Sequence, residues 1–193
     1  MKTTHTLGAL LLASGFLMTS CKQGEEKKME ETTTVETPTQ TVDTAAVAPS
    51  GDSAFLAEVS QVNNEEIELG KLAQSRSMSK DVKDLGKMMV DGHTKAQSEL
   101  IGLAKAKNIS LPEGLSDKGK QAVADLTAAT PKDFDKMYSD KMVEGHTETI
   151  SKFEAARDNT ADADTKAWIV KMLPDLKMHL DHSVTVQQKV NKK

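Results

Sequence analysis

The sequence predicts an all-α protein, an up-down-up-down four-helix bundle with a short extra helix in its middle connection. Three observations carry that expectation. Apolar residues recur at spacings of three and four through four long stretches. Capping and breaking residues separate those stretches where helices should end. No alternating strand pattern competes with them.

The first helix should start at Asp52 or Ser53, either of which can cap it, and run to about Ser77. Its stripe reads Phe55, Val59, Val62, Glu66, Leu69 and Ala73. Ser79 should cap the second helix, which runs to about Lys107 along Val82, Leu85, Met89, His93, Ala96, Leu100 and Leu103. Asn108-Ile109-Ser110-Leu111-Pro112 ends it, and a short polar helix around Asp117 to Leu126 fits the connection. Thr130-Pro131 is a strong start for the third, because proline in the first turn gives up an N–H that has no helical partner anyway. That helix runs to about Asp158 along Phe134, Tyr138, Met142, His146, Ile150 and Phe153. After a loop at Asn159 to Asp164, the fourth carries Trp168, Met172, Leu176, His179, Ser183, Val186 and Val190. Pro174 lies inside it and should bend it.

The chain of 193 residues starts with a segment that does not belong to this fold. Lys2, the apolar run Leu7 to Leu17, and Thr19-Ser20 have the grammar of a secretory signal peptide over 1–20, too short to span a membrane. Leu17-Met18-Thr19-Ser20-Cys21 resembles a bacterial lipobox, and Cys21 is the only cysteine. A lone cysteine in an exported chain cannot form an internal disulfide, and lipidation explains it. Acyl chains such as palmitate on Cys21 would hold the protein at a membrane surface. Residues 21–51, rich in Thr, Glu, Lys and Pro, read as a disordered tether. Glu25-Glu26 just after the cysteine resembles surface-export signals of Bacteroidota lipoproteins. The bundle should occupy 52–193. These features place the protein in the cell envelope, as an outer-membrane lipoprotein facing the periplasm or the cell surface.

The formal net charge of -4 is mild, and no basic stripe with interleaved aromatics points to nucleic acid. Neither a phosphate-binding glycine loop nor a nucleophile elbow is present.

The most informative local feature is a repeat. Met89-Val90-Asp91-Gly92-His93-Thr94 returns as Met142-Val143-Glu144-Gly145-His146-Thr147. Each copy puts a histidine on an apolar stripe near the middle of a helix. Glu66 and His179 interrupt the other two stripes at similar height. Antiparallel neighbours joined by short turns bring helix midpoints together, so the four side chains should share one layer of the core. One reading is a polar layer that sets helix register. The other is a metal site, since three imidazoles and a carboxylate suit zinc, copper(II) or iron(II). Asp175 and His182 flank His179 and would support it rather than ligate. Gly92 and Gly145 should allow either close helix approach or room beside the histidine. The methionines Met88, Met89, Met142 and Met172 read as core filler.

Phe55-Leu56, Glu66-Ile67-Glu68, Met89 to His93, Leu111-Pro112, Phe134 to Tyr138, Met142 to His146 and Leu173 to Leu180 occur in order. Together they resemble the domain-of-unknown-function 4142 family of exported bacterial proteins, over roughly Asp52 to Gln188. The resemblance implies a ferritin-like four-helix fold and an envelope location, and no established activity. Ferritin-like di-iron sites use Glu-x-x-His on two helices. Here the acidic residues stand two places before His93 and His146, so a di-iron centre is disfavoured.

Two functional expectations follow. The first is a non-enzymatic, lipid-anchored envelope protein for binding or stress protection. The alternative is a metal-binding or redox bundle using Glu66, His93, His146 and His179.

Overall fold

The computed structural model describes residues 51–192, which form five helices. These are α1 (Gly51–Arg76), α2 (Lys80–Ala106), α3 (Asp117–Ala128), α4 (Pro131–Asn159) and α5 (Ala163–Val190). Among the described residues there is no strand and no helix long and apolar enough to cross a membrane. The expected signal segment, Cys21 and the tether up to residue 50 lie outside the described residues. Gly51, assigned to the tether from sequence, is the first residue of α1.

The helix ends follow local chemistry. Thr130 Oγ1 accepts from the Asp133 N–H, with Pro131 in the first turn of α4. Asp162 accepts from the Thr165 N–H at 2.7 Å and starts α5. Ser116 accepts from the Gly119 N–H at 3.0 Å and starts α3. Ser79 differs from expectation: it precedes α2 but makes no side-chain cap. The buried Ser77 hydroxyl takes the Ser79 N–H instead and donates to Asp135, tying the α1–α2 turn to α4. Asn108, in the left-handed region at φ 54°, turns the chain out of α2. The helix α5 continues across Pro174. The carbonyl that loses its donor there is that of Val170, whose side of the helix is exposed to water.

The four long helices and the short one in the middle connection are those expected, but their directions are not. Arg76 at the end of α1 donates to the Ala129 carbonyl just before α4, and Asp52 at the start of α1 accepts from Thr160 just after it. So α1 and α4 are antiparallel. Lys107 after α2 pairs with Asp162 before α5, and Lys189 late in α5 pairs with Asp81 early in α2. So α2 and α5 are antiparallel as well. The order is therefore up-down-down-up. The reason is the middle connection, which climbs back along the bundle through α3 before α4 begins. In section the helices run α1, α2, α5, α4 around the bundle, with α2 and α4 parallel across one diagonal.

Two apolar clusters fill the interior. One holds Leu69, Val82, Met89, Phe134, Tyr138 and Met142; the other holds Leu56, Leu100, Phe153, Trp168, Ile169 and Met172. Between them lies a buried polar slab that includes Asn63, Glu66, His93, His146, His179 and Ser183. The close pairing of α1 with α2 rests on Gly70 and Gly86. A Cβ on either would meet the other's carbonyl oxygen, at 2.6 Å from Gly70 and 2.7 Å from Gly86, so only glycine permits this crossing.

Candidate metal centre

Three helices each send one imidazole into the polar slab. His93 comes from α2, His146 from α4 and His179 from α5, and all three are buried. Their ring centroids form a nearly equilateral triangle with sides of 5.5, 5.3 and 5.4 Å. One nitrogen from each lies within 4.8 Å of the others.

Hydrogen bonds orient two of the rings. His146 Nδ1 lies 2.9 Å from the Met142 carbonyl one turn back. A backbone carbonyl only accepts, so Nδ1 carries the proton and Nε2 keeps its lone pair. His93 Nδ1 lies 3.0 Å from Asn63 Oδ1, while the Asn63 amide nitrogen donates to Gln97 and the Gln97 amide nitrogen donates to Ser60. With the amides in this orientation His93 donates from Nδ1, which leaves a lone pair on its Nε2. The two Nε2 atoms then face each other at 3.4 Å, both as acceptors. Two ligands bonded to a tetrahedral zinc at about 2.0–2.1 Å stand about 3.3 Å apart. The facing pair already has that spacing. Ligand histidines commonly donate their far N–H to a carbonyl or amide oxygen, as both do here.

Protons do not resolve this facing pair. Burial, with His146 and His179 nearby, holds His93 well below the usual histidine range. Burial brings His146 down to about 4. Burial also lowers His179, opposed by the charge of Asp175. All three imidazoles are therefore neutral and available as ligands at pH 7. The His179 Nδ1 atom is buried without a hydrogen-bond partner.

Glu66 does not join the three histidines. Its carboxylate turns toward α4, where Oε1 would lie 3.4 Å from a Cβ on Gly145, and its Oε2 is buried without a partner. Burial, reinforced by Glu65, pushes its carboxyl up to about 8, so Glu66 is mostly protonated at neutral pH. It forms part of the wall of an open, polar cleft of about 200 Å³ that also holds Glu65, Lys118, Lys141 and Glu148. The four-member layer expected from sequence is thus three histidines, with a protonated carboxyl set apart from them. Asp175 and His182 are both exposed; Asp175 borders a cavity beside His179, and His182, one turn after His179 on the same side of α5, borders a separate surface cleft.

The repeat has a geometric meaning. With these helix directions, an approximate two-fold axis along the bundle exchanges α2 with α4 and α1 with α5. Gly92 and Gly145 are equivalent under it. Gly92 makes room for His179 of its neighbour α5, and Gly145 faces Glu66 of its neighbour α1 at ordinary contact distance. Glu66 is therefore the counterpart of His179.

Sequence reasoning did not find Asn63, Ser60 or Gln97. Asn63 and Ser60 sit one turn and two turns before Glu66, on the face that is buried. A stripe traced by hydrophobicity passes over them to Val62, which is only half-buried.

A family model described as "Domain of unknown function (DUF4142)" matches residues 36–186. No curated protein matches the chain. Among solved structures, the crystal structure of a conserved hypothetical protein from Mycobacterium tuberculosis is similar at a TM-score of 0.54 and 15% identity. The match covers 71% of this chain and 90% of that one, and it speaks to the fold alone.

The opposed burials of carboxyl and imidazoles set a pH optimum for the metal-free protein. The histidines have lowered pKa values in the fold, so their contribution is present above 6.5 and is lost as pH falls toward 4. Glu66 has a raised one, so its contribution is present below 4.5 and is lost as pH rises toward 8. Three histidines outweigh one glutamate where the windows overlap. The urea midpoint should therefore peak near pH 6.5, and Glu66→Gln should flatten the alkaline side. A wild-type midpoint that climbs steadily to pH 8.5 would contradict this assignment.

The two glycines should respond differently to alanine. Alanine gains about 1 kcal/mol of helix propensity at either site. A Cβ on Gly92 would sit 2.5 Å from His179 Cε1 and displace the ring, whereas one on Gly145 makes an ordinary contact. Thermal melts should show Gly145→Ala neutral or stabilised and Gly92→Ala destabilised. Equal shifts in the two variants would refute the proposed seating of His179.

Proposed function

This chain belongs to the domain-of-unknown-function 4142 family, and on that footing we propose that it is a transition-metal-binding helical bundle held at the cell envelope by lipid on Cys21. The observation that carries the metal reading is the pair of facing Nε2 atoms on His93 and His146 at 3.4 Å, with His179 as the third member. Two lone pairs aimed at each other in a dry core repel. A cation between them turns that repulsion into two bonds. A proton is a poor candidate, because burial disfavours it on each ring. Three neutral imidazoles suit zinc, copper(II) or iron(II), and their softness does not favour magnesium or calcium.

Geometry therefore favours the metal-binding alternative over a bundle that merely displays a surface for binding or stress protection. A purely register-setting layer accounts less well for the site. Such a layer is stable when each buried polar group has a partner, and here His179 Nδ1 and Glu66 Oε2 have none. The residues do not fit a ferritin-type di-iron centre, because its bridging carboxylates would have to come from the triad's own layer. The carboxyl nearest that layer, Glu66, is turned away.

The reading of Cys21 as a lipid anchor rests on the Ser20-Cys21 junction and on the polar stretch that follows it. It would hang the bundle from the membrane on a tether of residues 21–50. The outer-membrane location, facing the periplasm or the cell surface, is read from the same segment, and Glu25-Glu26 is its surface-export feature.

Protein purified without chelator and dialysed against zinc should hold one metal per chain by elemental analysis. His93→Ala and His146→Ala should each weaken binding at least a hundredfold. Unchanged stoichiometry and thermal stability in both variants would end the metal reading. For the anchor, mass spectrometry of the membrane fraction should find acyl chains on Cys21, and Cys21→Ala should move the protein to the soluble fraction. An unmodified Cys21 on a soluble protein is the contrary result.

A further inference from the structure

Three protein ligands leave a tetrahedral metal one position short, and a cavity opens against two of the three, His93 and His179. It has a volume of about 30 Å³ and is walled by His93, His179, Ala96, Phe153, Trp168 and Met172. One water needs about 10–15 Å³ of such space, so the cavity has room for about two water-sized groups. Resting on the metal reading above, we propose that this cavity binds one small anion of two or three heavy atoms, which completes the coordination of the metal.

The wall has the chemistry for it. The Trp168 indole Nε1 is buried and has no hydrogen-bond partner, although an indole N–H can only donate. A buried donor without a partner costs roughly 1–3 kcal/mol, and an anion in the cavity supplies the missing acceptor. Phe153 and Met172 make the remaining wall apolar, which excludes large hydrated solutes. Lys95 and Asp175, both exposed, border the outer side. The two-fold counterpart of this cavity argues for the same side. There the cleft against Gly145 is polar, and its cations Lys118, Lys141 and Lys152 are already paired with Glu148, Glu65 and Glu58, which leaves no free charge for an anion. The anion therefore enters between α2 and α5 and meets the metal past Gly92. A site of this form holds a metal with one exchangeable ligand. That is the arrangement of a reactive centre, whereas a purely structural zinc is fully enclosed by protein ligands.

The test uses the protein loaded with cobalt(II), whose visible spectrum reports coordination, and azide as the probe. Azide should change the spectrum saturably, with one azide per cobalt. Ala96→Leu fills the cavity without removing a ligand. It should keep one cobalt per chain and require at least tenfold more azide. Should Ala96→Leu fail to fold, Trp168→Phe keeps the wall and removes the donor, and it should weaken azide several-fold. Full cobalt binding with no azide response, or with azide affinity unchanged in the folded variant, would overturn the anion site and leave the metal site standing. Failure of the wild-type protein to bind cobalt would remove both.

Discussion

The bundle is organised by one constraint: neutral imidazoles in a dry core must find partners. Apolar packing on either side makes the constraint severe. The cluster around Phe134, Tyr138 and Met142 closes one end of the polar slab, and the cluster around Phe153, Trp168 and Ile169 closes the other. Each large apolar side chain buried there contributes about 1.5–3 kcal/mol. That driving force brings the four helices together and carries the histidines inside with them. The slab then satisfies itself in part, through Met142, Asn63, Gln97 and Ser60. What it leaves without a partner includes His179 Nδ1 and Glu66 Oε2.

The approximate two-fold symmetry explains how such a slab arises from a duplicated phrase. Equivalent histidines on parallel helices α2 and α4 point at the axis between them, and so meet. Equivalent glycines beside them accept side chains from α5 and α1. The symmetry is broken in the side chains received, a histidine on one side and a glutamic acid on the other. That difference separates the two halves of the slab chemically. One half offers a third imidazole beside a small apolar cavity. The other offers a protonated carboxyl beside a wide polar cleft. Burial moves both kinds of group toward neutrality, which is why carboxyl and imidazoles can lie in one core without an ion pair.

The same packing accounts for the crossover. With α1 and α2 locked at Gly70 and Gly86, the chain leaves α2 at the end opposite to where α4 must begin. The segment through α3 covers that length and packs on α1 as it does so. Parallel α2 and α4 follow from this climb. Without it, the two repeated histidines would lie on antiparallel helices, and the two-fold relation between them would be lost.

Much of the fold was legible in the sequence because helices are local. The spacing of Val82, Leu85, Met89 and Leu100, the cap Thr130, and Pro131 each act within a few residues. Helix boundaries accordingly fell close to expectation, and so did the midpoint positions of His93, His146 and His179. The direction of α4 was not legible, because it depends on a connection whose path is decided by packing on α1. Nor was the turning away of Glu66, since a stripe gives the face of a helix and not the rotamer of a side chain. Asn63 escaped for a related reason: hydropathy cannot distinguish a polar residue bonded in the core from one in water. By itself, then, the sequence determined which residues are helical, which face each helix buries and which imidazoles go inside. Only the tertiary structure decided which of those groups meet, because distance across a bundle depends on helix order and rotation, and neither is a property of any one segment.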